Sequence, residues 1–344
     1  MHGSRLERVE RCNLCEGSRF SPFAEMSGTA TADRFGIVRC DDCGLMFVSP
    51  RLTAAANDAL YDESYFNGSG FDRSINYVLL DREGDARRGE NLGILQKIRT
   101  LKPAQDVRLL DVGCGTGGLL RALESAGYHD LWGIELSAYA AELARGSAKA
   151  NVLAGDVLEA DLPEETFDVV NATEVIEHLR DPLAFFRRVK TLLKPGGVFI
   201  YSTGNARGLY ARVLGRRWPY LHPEGHLFYY TPGALARYFR RAELEVLNVG
   251  ALAPDVRRAL LDAEDRITHS QLTYVGASDA GAKGAIFRLI AAADTPFVRR
   301  AVTLAVGKHR LPTAVRPTPR SRTSHLPTLD PEPCVAARFI QSGT

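Results

Sequence analysis

Hydrophobic and polar positions along this chain follow two periods, and the switch between them is sharpest near residue 110. Residues 107–112 (VRLLDV) form a short, nearly continuous apolar run, the pattern of a strand buried on both faces. The run passes through Gly113-Cys114-Gly115-Thr116-Gly117-Gly118 into LLRALESAG, where leucines recur at helical spacing. Further strand patterns follow at Trp132-Gly133-Ile134-Glu135, at Val152-Leu153 leading into Ala154-Gly155-Asp156-Val157, and at Phe167-Asp168-Val169-Val170-Asn171. A turn, Leu193-Lys194-Pro195-Gly196-Gly197, then opens Val198-Phe199-Ile200-Tyr201, and Leu244 to Val249 gives a later strand. Helical patterns lie between them: Ser137 is placed to cap AYAAELARG, and Thr231 followed by Pro232 starts ALARYFRRA, a cap residue with proline at the first position. Alternating strands and helices predict an open, doubly wound α/β domain beginning near Asp106.

Ahead of that domain, residues 45–50 read as a strand, Thr53 as the cap of a helix over AAANDALYDESYF, residues 67–74 as a joint, and the stretch to Leu101 as a long polar helix. Within the first of these helices, Tyr61, Tyr65 and Phe66 share related faces. That suits packing on the main domain and equally an aromatic lid over a site.

Composition narrows the class without naming a chemistry. The 344 residues are 45% hydrophobic and 24% charged, enough for a full core and about two domains. A formal net charge of +2 gives no global field and disfavours nucleic acid as a partner. The opening MHGSRLERVERC lacks an apolar core, and the most apolar later stretch, Ala285 to Val306, is broken by Arg288, Asp294, Arg299 and Arg300. A cytoplasmic protein with no membrane partner is therefore expected.

Cysteine usage adds a second module. Four of the six cysteines form two C-x-x-C pairs, Cys12 with Cys15 and Cys40 with Cys43, the spacing of a zinc ribbon in which four thiolates close a tetrahedral, structural site. Gly44 suits the turn of the second knuckle.

The glycine turn by itself admits NAD, FAD or S-adenosylmethionine, because all three need backbone amides brought close to a ligand at a helix N-terminus. Glu135 ends the second strand with an acid suited to a ribose diol, and Asp156 ends the third with a carboxylate suited to the exocyclic amine of adenine. A third chemical stretch is Asn171-Ala172-Thr173-Glu174-Val175-Ile176-Glu177-His178. Strand C-terminal ends face the ligand crevice in such sheets, which puts Thr173 and Glu174 beside the cofactor. Glu174, Glu177 and His178 fall at i, i+3 and i+4, on one side of a helical turn, where two carboxylates and an imidazole could take a divalent metal. His226 can supply a further ligand, or act as a general base without metal; a purely structural role for the group is the third alternative. Between Asn205 and Gly225, Arg207, Arg216 and Arg217 are interleaved with aromatics including Trp218. This suits an acceptor with an anionic group and a flat or sugar ring, or else a surface with snorkelling arginines.

Taken in order, G-C-G-T-G after Asp111, then Glu135, Asp156, the fourth strand and the L-K-P-G-G turn resemble the class I S-adenosylmethionine-dependent methyltransferases. The resemblance implies a Rossmann-like, seven-stranded sheet behind the ribbon. It also implies a cofactor site of Asp111, Gly113, Cys114, Gly115 and Gly117 at the amino-acid end, Glu135 and Leu136 at the ribose, Asp156 and Val157 at the adenine, and Thr173 and Glu174 alongside. The E-x-x-E-H pattern followed by G-H is similar to that of metal-dependent O-methyltransferases of the ubiquinone pathway and of small-RNA 2′-hydroxyls, implying Glu174, Glu177, His178 and His226 as ligands for Mg or Mn. The zinc module ahead of the methyltransferase domain also resembles the layout of some sugar C-methyltransferases, where it helps to form the acceptor site. The catalytic candidates are His226, His178 and Glu177; the acceptor candidates are Arg207, Arg216, Arg217, Trp218 and Tyr65.

The expected division is a ribbon over 1–50, a helical linker or lid over 51–105, the cofactor domain over 106–250, an insertion over 251–332 and a closing strand and tail over 333–344. The insertion replaces the short hairpin that normally precedes the last strand. Its first part is periodic, as in packing on the domain or a homodimer partner, and its second part, rich in proline, arginine and serine, is expected to be disordered. The expected function is methyl transfer to a small polar metabolite or glycosyl precursor, on oxygen rather than carbon. RNA methylation and non-catalytic cofactor binding are the alternatives.

Overall fold

The computed structural model describes residues 5–71, 76–79, 88–102, 104–248 and 335–339; the expected insertion over 251–332 lies outside them. The central layer is a sheet in the order β12-β13-β10-β9-β6-β7-β8. Its strands are β6 (Leu109–Val112), β7 (Leu131–Glu135), β8 (Asn151–Ala154), β9 (Phe167–Thr173), β10 (Leu193–Ser202), β12 (Leu244–Asn248) and β13 (Val335–Phe339). The five from β8 to β10 pair in parallel, whereas β13 runs antiparallel between β10 and β12. β6 is flanked by β7 and β9, so the chain reverses its winding direction at that strand. Ligand crevices form at such a reversal, because adjacent crossovers leave on opposite faces.

Helices cover both faces of this sheet. One face carries α3 (Arg88–Leu101), α4 (Gly118–Ser125) and α5 (Ala138–Ser147), packed through Ile94, Ile98, Leu119, Leu120, Leu123 and Ala144. The other carries α6 (Pro182–Leu192) and α7 (Pro232–Arg241), packed through Phe185, Phe186, Val189, Tyr238 and Phe239. Local sequence sets the helix starts: Ser137, Asp181 and Thr231 each accept the backbone N–H three residues on. Thr53 occupies an N-cap position but makes no side-chain cap bond, and the single helix expected after it is broken. It becomes α1 (Ala54–Asp58), a 3₁₀ turn over Ala59–Tyr61, and α2 (Glu63–Phe66), because Asp62 turns extended and caps the second piece through Ser64 N and Tyr65 N.

The N-terminal module is a sheet ordered β11-β4-β3-β2, with β2 (Phe20–Ser27), β3 (Arg34–Cys40), β4 (Met46–Val48) and β11 (Phe228–Tyr229). Its edge strand β11 comes from the loop after β10, so the module is completed by residues nearly two hundred positions on. A second pairing, β1 (Leu6–Glu7) with β5 (Arg51–Leu52), closes its base. Cys12, Leu14, Cys40, Leu45 and Phe47 belong to the same buried cluster as Leu110, Val112, Phe186 and Tyr238. No helix among the described residues is long and apolar enough to cross a membrane.

Candidate functional site

After Val112 the chain turns through three glycines with positive φ, Gly113 at 68°, Gly115 at 53° and Gly117 at 87°. A side chain at Gly113 would also strike Val175, its Cβ falling 2.6 Å from Cγ2. Asp111, Gly113, Cys114, Thr116, Gly118 and Leu119 from this turn, Asn171 and Thr173 from β9, and Tyr77, Asn91 and Ile94 line a cleft partly open to solvent. Asp111 is buried and accepts from Asn171 Nδ2 at 2.8 Å, while the Thr173 hydroxyl donates to Asn171 Oδ1 at 3.2 Å. Asn171 thus holds the strand-end acid in place.

Glu135 ends β7 beside the glycine turn and accepts the amides of Gly115 at 2.9 Å and Ser137 at 3.0 Å. Burial pushes its carboxyl up, with those amides acting in the opposite direction. Leu136 next to it is 43% exposed, an apolar side chain left uncovered at the strand end. Val157 is buried, whereas Asp156 is exposed and its Oδ1 accepts the Leu158 amide at 2.8 Å. Asn171 and Thr116 were visible in the motif but carried no assigned role. Tyr77, Asn91 and Ile94 reach the cleft from outside the sheet and left no sequence signal.

The second cluster lies just past Thr173. Residues 174–178 form turns rather than a helical turn, with Glu174 at φ 51°. The Glu174 carboxylate accepts the Ser202 hydroxyl at 2.8 Å, and its amide is held by the Ser202 carbonyl at 3.1 Å. The i, i+3, i+4 alignment is therefore not what brings the acids and imidazoles together. One donor atom each from Glu177, His178 and His226 lies within 4.8 Å of the other two; Glu174 stands outside that trio. Glu177 is fully buried, its Oε1 accepting the Tyr220 hydroxyl at 2.5 Å and its Oε2 without a hydrogen-bond partner. Burial pushes this carboxyl up.

Carbonyl partners orient both imidazoles. His226 Nδ1 lies 2.8 Å from the Tyr220 carbonyl, which only accepts, so this Nδ1 carries the proton; His178 Nδ1 lies 3.0 Å from the Gly225 carbonyl and 2.9 Å from the Tyr61 hydroxyl. Burial, then the neighbouring His178, holds His226 well below the usual histidine value. His226 is accordingly neutral and presents Nε2 as a lone pair. The rings of His178 and His226 meet edge to face at 4.8 Å.

Aromatic side chains run from the cleft to the histidines. Tyr77 at the cleft places its hydroxyl 3.1 Å from that of Tyr65, whose ring stacks on Phe71 at 5.0 Å and 9°. The Tyr61 ring touches Tyr65, and its hydroxyl sits 2.9 Å from His178 Nδ1. Phe71 in turn meets His222. Trp218 is half-buried and stacks on Tyr220 at 5.0 Å and 22°, while Arg207, Arg216 and Arg217 are exposed on the same loop.

Glu224, two residues before His226, ties the site loop to the N-terminal module. It is buried, and its carboxylate accepts the Thr29 hydroxyl at 2.7 Å, the Thr31 amide and hydroxyl at 2.9 Å each, and the Thr29 amide, all from the β2–β3 turn. Burial alone would raise its carboxyl, but the Thr29 hydroxyl and the turn amides outweigh that and hold it below the usual carboxylate range.

The four ribbon cysteines converge, with donor atoms within 4.8 Å of one another and no disulfide between them. Each pair is built on a tight turn: Glu16 N donates to Cys12 O and Gly44 N to Cys40 O, both at 2.8 Å, with Glu16 and Gly44 at φ 64° and 76°. The Cys12 and Cys43 sulfurs lie 3.5 Å apart, as do those of Cys15 and Cys40. Four convergent, reduced sulfurs fit a tetrahedral zinc site.

A sheet of five parallel strands closed by an antiparallel one, a glycine turn and a cleft at its winding reversal, and acids near the ends of β6 and β7 are the features of a methyltransferase-type cofactor domain. The family profile described as a methyltransferase domain matches residues 82–249, and the chain belongs to the S-adenosylmethionine-dependent methyltransferases. It is similar to a ubiquinone biosynthesis O-methyltransferase of Ralstonia nicotianae, 35% identical over 46% of this chain and 71% of that one. It also resembles the protein of the same name from Actinobacillus pleuropneumoniae, 38% identical over 31% of this chain and 49% of that one, so it spans about half of that relative's length. Among solved structures, an amino pentose methyltransferase from Micromonospora echinaspora with S-adenosylmethionine bound is 31% identical, covering 36% of this chain and 54% of that chain, with a TM-score of 0.33.

Proposed function

We propose that this chain transfers the methyl group of S-adenosylmethionine to a hydroxyl oxygen of a small polar acceptor, with a divalent cation held by Glu177, His178 and His226. The observation that carries this reading is the Glu177 Oε2 atom, fully buried without a partner and clustered with two oriented imidazoles. An uncompensated buried carboxylate oxygen is costly, and a cation removes that cost. Two imidazoles and a carboxylate suit Mn better than Mg, which prefers oxygen ligands throughout. The relatives' names favour oxygen as the atom methylated.

S-adenosylmethionine supplies an electrophilic methyl group on a sulfonium, and a divalent cation supplies Lewis acidity toward the acceptor hydroxyl. The residues of the chain do the rest. Asp111, held by Asn171, and the amides of the glycine turn hold the amino-acid end; Glu135 takes the ribose diol; Leu136 and Val157 flank the adenine, whose amine Asp156 would meet. Tyr61, Tyr65 and Phe71 exclude water above the acceptor. The acceptor hydroxyl would release its proton to solvent, the new O–CH₃ bond would form as the S–CH₃ bond breaks with its electron pair returning to sulfur, and S-adenosylhomocysteine would leave. Little else is required, since the sulfonium is already reactive and the gain comes from in-line positioning. Arg207, Arg216 and Arg217 would meet an anionic part of the acceptor, with Trp218 against its ring. Zinc in the four-cysteine site would be structural, because a closed tetrahedron leaves no position for substrate.

The test is to incubate the purified chain with methyl-labelled S-adenosylmethionine and a cell extract of the source organism, before and after chelation. Label in small polar compounds, lost on chelation and restored by Mn(II), is the expected result. Label in RNA or protein would overturn the small-molecule acceptor, and turnover undiminished by exhaustive chelation would leave His226 acting as a metal-free base.

A further inference from the structure

We infer that Tyr220 is the positioning residue of the proposed cation site, fixing Glu177 through its hydroxyl and His226 through its backbone carbonyl. The inference rests on the cation reading above and concerns a residue outside the E-x-x-E-H pattern.

The Tyr220 hydroxyl accepts the Gly204 amide at 2.7 Å and lies 3.2 Å from the Thr203 hydroxyl. With its oxygen so engaged, its single proton goes to the nearest acceptor, Glu177 Oε1 at 2.5 Å, rather than to Glu174 Oε2 at 3.4 Å. One oxygen of Glu177 is thereby pinned and the other is left for the site. The same residue's carbonyl takes the proton of His226 Nδ1 at 2.8 Å, which leaves Nε2 as the ring's donor atom. Tyr220 thus sets two of the three ligand groups, one by side chain and one by main chain. Its own placement is tightly constrained: its ring lies over Gly204, where a Cβ would come within 2.3 Å of it, and against Trp218 and His226. Partners that orient metal ligands typically change affinity ten- to a hundredfold when removed.

The substitution Tyr220→Phe deletes the hydroxyl and keeps ring and carbonyl. Mn(II) affinity measured by electron paramagnetic resonance on the full chain should fall about ten- to a hundredfold. S-adenosylmethionine affinity by calorimetry and the thermal midpoint should stay close to wild type. Thr203→Val, which strips one group aiming the hydroxyl, should lower Mn(II) affinity less and serves as the second variant if Y220F loses stability. Unchanged Mn(II) affinity in both variants would overturn the inference while leaving the cation reading intact. Parallel losses of cofactor affinity and thermal midpoint in both variants would reduce Tyr220 to a structural role. A wild-type chain that binds S-adenosylmethionine but no Mn(II) would overturn the cation reading and the inference with it.

Discussion

Glu135 shows how one residue serves fold and ligand together. In the protein alone its two carboxylate oxygens are taken by the Gly115 and Ser137 amides, one holding the glycine turn and the other the start of α5. A ribose diol can donate to the same oxygens from the open side, because a carboxylate has about four lone-pair positions. Hydrogen bonds to a charged group contribute about 1.5–3 kcal/mol each. Glu135→Gln should therefore weaken S-adenosylmethionine binding about ten- to a hundredfold by calorimetry, with the circular dichroism spectrum unchanged. An unaltered dissociation constant would remove Glu135 from the ribose site.

At the scale of elements, the β2–β3 turn is fastened to the loop after β10 by Glu224, 195 residues from Thr29. The latch gives a pH dependence of definite sign. Its folded carboxyl lies below the ordinary 4.5, so the contribution is complete above that value and is lost as pH falls through the folded value. Glu224→Gln should cost about 1–3 kcal/mol at neutral pH, from charged hydrogen bonds lost in a buried position, and the variant's stability should fall less steeply in acid. Denaturant titrations between pH 3 and 7 read both; equal slopes for the two proteins would show that the latch is not ionised. The same latch shows where sequence reading stops. Strand, glycine turn and helix near residue 110 were legible because period and φ requirements are local, as were the caps at Ser137 and Thr231. The paired cysteines were legible because their spacing is. Glu224, Tyr220 and Asn171 work through partners on other elements, and no periodicity encodes that. The E-x-x-E-H run was readable as chemistry but not as geometry: Glu174 takes a positive φ and its carboxylate turns to Ser202, while donor atoms of Glu177, His178 and His226 gather within 4.8 Å of one another without a helical turn.

For the molecule as a whole, the two faces of the sheet divide the work, and the last prediction follows from that division. The face under α3, α4 and α5 buries Leu109, Cys114, Leu119 and Leu120 and so carries the glycine turn. The opposite face buries Leu110 and Val112 with Phe186 and Tyr238, and the ribbon residues Cys12, Leu14, Cys40 and Phe47 belong to that layer. The ribbon is bound to it by polar contacts as well: Asn13 Nδ2 donates to Asp181, the cap of α6, at 2.9 Å, and Asn13 Oδ1 accepts Leu183 N at 3.2 Å. Through β11 and Glu224 it also reaches the loop that carries Tyr220 and His226. Metal analysis should find one tightly held zinc per chain. Cys40→Ser, by opening the tetrahedron, should lower the thermal midpoint and abolish methyl transfer, while S-adenosylmethionine affinity changes less than about tenfold, because structural zinc contributes folding energy to the layer that holds it. Loss of cofactor affinity in step with the midpoint would show that the two faces fold as one indivisible core. Full activity without bound zinc would show instead that burial of the four thiols alone keeps the ribbon on the sheet.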